Sequence, residues 1–178
     1  MALEEEGIPL RLLAGAELFL SNKIFTAENL DDLTINDSRY MLCEMPLGPF
    51  RTDNVLMWFD ELLDRGYTPI LAHPERYFCV QDEPNLLHEW RMQGALAQMN
   101  KGSILGRFGW EIERTAEVLL RNHLFTCIAS DAHHAYIRTT DMKELYYYLQ
   151  RHYSLKEQDR LLRKNPLSIL RGLKSPQL

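Results

Sequence analysis

Four short apolar runs in this chain each stop at a side chain that can bind a metal ion. Ile70-Leu71-Ala72 hands over to His73, which is followed by Pro74-Glu75-Arg76. Leu13-Ala14-Gly15-Ala16 ends at Glu17, Tyr40-Met41-Leu42-Cys43 at Glu44, and Thr126-Cys127-Ile128-Ala129-Ser130 at Asp131-Ala132-His133. Any one of these is ordinary, because a lone histidine is usually a hydrogen-bonded structural residue and a carboxylate after a strand is usually solvated. Four in succession are not. Glu17, Glu44, His73, Asp131 and His133 together supply three carboxylates and two imidazoles, a mixed oxygen and nitrogen set suited to Mn²⁺, Fe²⁺ or Zn²⁺. Without cysteine it is no structural zinc site. Such a set can bridge two metals roughly 3.5–4 Å apart, which activates water and clamps a phosphoryl group. Arg76 and Arg138, each a few residues beyond a metal-capable side chain, add bidentate phosphate contacts that lysine would not reproduce. Hydrolysis of a phosphate ester is the chemistry this set points to.

For these positions to meet, the runs must be neighbouring parallel strands. The pattern supports that: strands are expected at Leu10–Ala16, Arg39–Cys43, Thr68–Ala72, Ala95–Met99 and Leu124–Ala129. Gly15 is expected to allow close backbone approach before Glu17. Between them, residues 52–66 read as a helix, with Thr52 or Asp53 as cap, Val55, Leu56, Phe59, Leu62 and Leu63 as its apolar stripe and Gly66 as its stop. Further helices are expected at about Glu83–Gln93, up to about Asn122, and after Thr140. Asp141 with Glu144 and Ser154 with Glu157 stand at capping-box spacing, and Asn165-Pro166 is expected to cap a last helix ending at Gly172. Residues 2–7 read as the last turn of a helix closed by Gly7. Alternating strand and helix builds an α/β domain with a parallel sheet, whose ligands bind at the carboxyl ends of the strands. Residues 1–178 are read as one such domain.

Composition removes several classes of function. The net charge of -5 argues against a general nucleic-acid footprint. No apolar run reaches membrane-spanning length, and the acidic start is unlike a signal peptide. Three scattered cysteines form no disulfide framework, which points to a reducing, cytoplasmic setting. No Cys-x5-Arg loop is present for cysteine-based phosphatase chemistry. Gly102-x-x-x-Gly106-x-x-Gly109 lacks the Walker spacing and its Lys-Ser/Thr pair, so it reads as a substrate-side loop. His134 is read either as a proton donor behind the metal ligands or as an exposed bystander. Tyr146-Tyr147-Tyr148 is most simply part of an amphipathic helix.

Gly15-Ala16-Glu17, Cys43-Glu44-Met45-Pro46, His73-Pro74-Glu75-Arg76-Tyr77, Gln98-x-Asn100-x-Gly102-Ser103-x-x-Gly106-x-Phe108-Gly109 and Ser130-Asp131-Ala132-His133 carry a family resemblance in their order and spacing. The chain resembles the bacterial polymerase-and-histidinol-phosphatase (PHP) superfamily, and within it the capsule-associated, manganese-dependent tyrosine-protein phosphatases. The resemblance implies a distorted seven-stranded (β/α)7 barrel with a trinuclear Mn²⁺ centre. It also implies a substrate, the phosphotyrosine tail of a bacterial capsule or exopolysaccharide tyrosine kinase. By the same resemblance Glu17 is the bridging carboxylate, Glu44 and His73 are its partners on one metal, and Asp131 and His133 are ligands of the others. Arg76 and Arg138 correspond to the phosphate-binding arginines. The family's opening His-x-His strand has no counterpart ahead of Leu10, a difference of roughly 60 residues or about two βα units. The barrel is therefore expected to be incomplete, with an apolar edge along Leu10–Ala16 that favours self-association. An amidohydrolase-like hydrolase and a non-catalytic remnant that binds a phosphorylated partner are the competing readings.

Overall fold

The structure, a computed structural model, describes residues 5–173. Five parallel strands form one sheet: β1 (Glu17–Phe19), β2 (Tyr40–Glu44), β3 (Thr68–Ala72), β4 (Leu96–Asn100) and β5 (Cys127–Ala129). They lie in sequence order, with Glu17 opposite Leu42, Leu42 opposite Ile70, Ile70 opposite Leu96 and Gln98 opposite Cys127. The connecting helices are α1 (Asp53–Asp64), α2 (Phe78–Asp82), α3 (Asn85–Met92), α4 (Lys101–Ile104) and α5 (Trp110–Arg121). After β5 come α6 (Lys143–His152), α7 (Leu155–Asp159), a π turn (Arg160–Lys164) and α8 (Asn165–Leu170). Consecutive parallel neighbours are the strand order that a β/α barrel uses.

Side chains alternate between the two faces of a strand. Met41, Cys43, Leu71, Ala97, Met99 and Ile128 point into the main core, where Val55, Phe59, Leu62, Leu87, Trp90, Leu119 and Leu149 of the helices meet them. The alternate residues Tyr40, Ile70, Leu96 and Cys127 form a smaller cluster on the opposite face, covered by Ile169 of α8 and flanked by Ile35 and Leu42. That cover lies only at the amino end of the sheet, where Asn36 Nδ2 donates to Leu170 O (2.9 Å) and Tyr40 Oη to Leu173 O (2.5 Å). Glu17, Phe19 and Glu44 share this second face.

Pro69 stands in a central strand, where a missing N–H normally breaks a ladder. Here it does not. Residues of a parallel strand bond alternately to their two neighbours; Thr68 N donates to Arg39 O and His73 N to Gln98 O (each 2.8 Å), so Pro69 faces β4. Pairing with β4 begins only at Ile70. The missing donor therefore falls below the first rung.

The first strand departs from the sequence reading. Leu10–Ala16 is not a strand: β1 begins at Glu17 and is three residues long. Ahead of it the chain makes isolated backbone bonds, Leu10 N to Ile8 O and Ala14 O from Asn36 N (each 2.8 Å), and Ile8, Leu10 and Leu12 stand in solvent. A strand forms only where a partner takes its backbone groups, and pairing with β2 begins only at Glu17, opposite Leu42. Gly15 is not needed for close approach either, since a Cβ there would meet Ile35 Cα at an ordinary 3.6 Å. Gly7 has φ +65°, as expected of a helix-ending residue, while the turn assigned to residues 2–4 lies outside the described residues.

Capping was also only partly foreseen. Ser154 Oγ accepts from Glu157 N (3.3 Å), but the Glu157 carboxylate turns to Arg160 instead of reaching back. Asp141 accepts from Lys143 N (2.9 Å), whereas Glu144 pairs with Arg107. Thr52 makes no side-chain cap, and Asn165 lies inside a continuous helical run, its Nδ2 donating to Thr126 O (2.8 Å). No helix among the described residues is long and apolar enough to cross a membrane.

Arg160 fastens the last helices to the sheet. Its Nε and Nη2 donate to the two Glu157 carboxylate oxygens (3.0 and 2.6 Å) and its Nη1 to Phe125 O (3.1 Å). These bonds hold the Glu157 carboxyl below its ordinary value, with His123 adding to the effect. A depressed carboxyl stabilises the fold above its unfolded pKa and loses that contribution as pH falls through the folded one. Glu157→Gln is expected to cost about 1.5–3 kcal/mol at pH 7. In urea titrations the difference from the unmodified chain should shrink as pH falls below about 4.5, the ordinary carboxyl value.

Candidate metal centre

Glu17, Glu44 and His73 converge. Their ligand atoms all lie within 4.8 Å of one another, with His73 Nε2 3.4 Å from Glu17 Oε1 and 3.3 Å from Glu44 Oε1. Glu44 arrives as the last residue of β2, and His73 follows the end of β3. Glu17 arrives differently: it opens β1 and reaches along the second face of the sheet. His73 has φ +36° and ψ +53°, a left-handed conformation that costs a non-glycine residue about 1–3 kcal/mol. The turn it makes swings the imidazole out of the strand toward both carboxylates. The ring is buried, and its Nδ1 has no hydrogen-bond partner among the described residues. The hydrogen bond to His73 holds the Glu17 carboxyl below its ordinary value against the opposing effect of burial, and His133 and Arg76 act in the same direction.

Tyr77 holds two of the three in place. Its buried hydroxyl donates to Ala72 O (2.7 Å), one residue before His73, and accepts from Met45 N (3.1 Å), one residue after Glu44. The ring also meets His73 edge-on, with centroids 6.0 Å apart. The His-Pro-Glu-Arg-Tyr segment contains Tyr77, but the sequence alone gives it no task. Its place directly after that charged turn was the available signal.

Asp131 and His133 stand beside this group but not in it. The Asp131 carboxylate, at a second left-handed residue (φ +49°), binds Arg138 and accepts from Asn100 Nδ2. Arg76 Nη1 lies 3.9 Å from Asp131 Oδ2, and His133 Nδ1 lies 3.5 Å from Oδ1. Both arginines therefore reach the same carboxylate from separate loops. Both also lean over one ring, Phe108, with their guanidinium carbons 5.1 Å (Arg76) and 5.8 Å (Arg138) from its centroid. His134 is exposed, contributing its backbone N–H to Arg138 O (3.2 Å) and lining a shallow hollow with His133 and Thr139.

Asn100 is the hub behind these groups. Its N donates to Glu75 Oε1 (3.0 Å), its Oδ1 accepts from Gly102 N (2.8 Å), and its Nδ2 holds Asp131. Glu75 is fully buried, and burial pushes its carboxyl up. Gly102 makes room for the aromatic ring: a Cβ there would come within 2.7 Å of Phe108 Cε2. Gly102 thus serves packing, whereas Gly106 and Gly109 have positive φ (+70° and +101°) and serve the backbone turn.

With the geometry described, comparison with known proteins decides the family. A sequence model described as capsular polysaccharide synthesis, CpsB/CapC, matches residues 1–171. This chain belongs to the CpsB/CapC family. Within the family it is similar to tyrosine-protein phosphatase YwqE of Bacillus subtilis (strain 168), at 31% identity over 92% of this chain and 66% of YwqE. It is also similar to the putative tyrosine-protein phosphatase CapC of Staphylococcus aureus, at 36% identity over 80% of this chain and 56% of that protein. The chain thus spans about two thirds or less of the length of these curated relatives. Among solved structures it matches a chain from the work on YwqE from Bacillus subtilis and CpsB from Streptococcus pneumoniae, described as unique metal-dependent tyrosine phosphatases. The TM-score is 0.84 at 30% identity, covering 97% of this chain and 70% of that one.

Lys101 governs the arginine loop. It is buried, its Nζ donates to Thr139 O and Asp141 O, and desolvation pulls its pKa below the ordinary value. Lys101→Met removes both staples, each worth about 1.5–3 kcal/mol at most. The amides of His133 and His134, which bond to Arg138 O, are expected to exchange with deuterium at least about tenfold faster, since 1.4 kcal/mol is one decade. Unchanged exchange would show that the loop holds itself.

Proposed function

We propose that the chain carries the metal site of a phosphotyrosine phosphatase and hydrolyses phosphotyrosine on the tail of a bacterial capsule or exopolysaccharide tyrosine kinase. The observation that carries this reading is the Glu17, Glu44 and His73 group standing beside two arginines that share one carboxylate and one aromatic ring. Two carboxylate oxygens and an imidazole nitrogen turned toward one another are a donor set that fits Mn²⁺, with Fe²⁺ or Zn²⁺ as the alternatives. When bound, such an ion supplies a more acidic water and offsets charge on the phosphoryl oxygens.

The chain's own residues do the rest. Arg76 and Arg138 bind the phosphate, and Asp131 with Phe108 keeps their forks aligned before it arrives. Preorganised cations of this kind cost no reorganisation when charge develops. Asp131 and His133 are assigned to further ions, and His134, on the same loop, to proton delivery to the departing phenolate oxygen. Paired arginines favour a phosphate over an amide, which sets aside the amidohydrolase-like reading. The parallel sheet with consecutive order supports the PHP superfamily and an arc of its seven-stranded barrel. We assign the chain to the cytoplasm with no nucleic-acid partner. The solvent-facing Ile8, Leu10 and Leu12 ahead of β1, with Phe19 on it, are assigned to self-association.

Hydrolysis of p-nitrophenyl phosphate with added Mn²⁺ tests the reading. Chelation is expected to abolish turnover and Mn²⁺ to restore it, while Glu44→Gln or Arg138→Ala lowers kcat by about 10²-fold or more. His134→Gln should lower it less. Turnover indifferent to chelation would refute the metal reading. Binding of phosphotyrosine that depends on Arg76 and Arg138, without turnover, would replace it by the binding-only alternative.

A further inference from the structure

We infer that the groove beside the two arginines is a subsite for a bulky apolar side chain next to the phosphotyrosine of a peptide substrate. This inference rests on the phosphatase reading of the neighbouring cluster. The groove has a volume of about 580 Å³ and is walled by Leu47, Phe78, Phe108, Trp110 and Ile112, with Arg76 at the site end. That size is in the range of sites that enclose small ligands. Leu47, Phe78 and Trp110 are 38%, 55% and 66% exposed. Single apolar side chains in water are common, but three around one concavity mark a surface that something covers.

What covers it follows from continuity. Arg76 lines the groove and also lies 3.9 Å from the Asp131 carboxylate. The Phe108 ring that takes both guanidiniums is itself a groove wall. A phosphate held by the arginines therefore has the groove opening directly beside it. A free aryl phosphate has nothing to place there. A peptide continues past its phosphotyrosine at about 3.3–3.6 Å per residue, and its next side chain lies within reach of these walls. The walls are mainly aromatic and aliphatic, with Gln81 and Glu111 among them, so the side chain they favour is apolar, with aromatic residues gaining further from ring contacts.

The test is equilibrium binding of fluorescent peptides to the Mn²⁺-loaded chain, each carrying a non-hydrolysable phosphonate analogue of phosphotyrosine. One peptide has Phe and Leu as flanking residues and the other has Gly at both positions. The first is expected to bind about tenfold tighter, a difference of about 1.4 kcal/mol. That preference should fall below about twofold in the Phe78→Ala/Trp110→Ala double variant, whose altered side chains are solvent-facing. Equal affinities in the unmodified chain, or a preference that survives the double substitution, would overturn the inference. So would a double variant whose only change is a lower oligomeric state in sedimentation, which would make the groove a contact between copies. The capped phosphonate amino acid alone separates the two levels. If it binds and the flanks have no effect, only the groove fails; if neither it nor either peptide binds, the arginine site fails and the groove with it.

Discussion

One hydroxyl group fixes the geometry on which the candidate centre depends. Glu44 and His73 leave adjacent strands, and beyond the last rung of a ladder nothing in the sheet itself controls where the chain goes. Tyr77 supplies that control by accepting from Met45 N and donating to Ala72 O. The hydroxyl is buried, so burial raises its pKa well above the ordinary value and it remains a donor throughout the physiological range. Its loss would leave a buried N–H and a buried carbonyl unpaired, each costing about 1–3 kcal/mol. The strained turn at His73 persists because these bonds, and the His73 N bond to Gln98 O, determine it from both sides.

Charge balance extends the same logic outward. Glu17 and Glu44 share one histidine, so two acidic groups face one imidazole, and the arginines are spent on Asp131 instead. The acidic end therefore attracts a cation, while the basic end, steadied by a single carboxylate, keeps donors for an anion. A site with these two poles side by side suits a substrate whose anionic group must be held while a metal acts on it. The separation is maintained by Asn100, which binds the buried Glu75 behind and Asp131 in front.

Much of this was legible in the sequence because parallel strands with both faces buried read as short apolar runs, and the residue after each run lands on the ligand-binding rim. β3 was read to the residue, whereas the apolar stripe of α1 was read only in part: Val55, Phe59 and Leu62 are buried, but Leu56 is exposed and Trp58 takes a core place that the spacing did not assign to it. Glu17 was named for the wrong geometric reason. Leu10–Ala16 has the composition of a strand but no partner to make it one, and pairing is a tertiary fact that composition does not carry. The roles of Tyr77, Lys101 and Phe108 were equally hidden, since each acts on a group distant in sequence or through a contact that spacing does not reveal. The glycine run illustrates the limit: its positions are plain, but only the proximity of Phe108 shows that Gly102 must lack a side chain.

Phe108 joins the arginine pair to the groove. A ring that takes two guanidiniums gains from each by cation–π attraction, on the order of 0.5–2 kcal/mol depending on desolvation, and arginine suits such contacts better than lysine because its planar head stacks. The ring keeps like charges at a fixed spacing that they would otherwise widen by repulsion. Its position is set by the bare Gly102 beneath it and by the Asn100 to Gly102 bond that shapes that turn. Because its remaining surface walls the groove, anything seated there packs against the same side chain that spaces the arginines. Affinity for a flanking residue and alignment of the phosphate-binding forks are thus mechanically coupled through one aromatic ring. That coupling gives a physical route by which a peptide could be a better substrate than a free aryl phosphate without touching the metal.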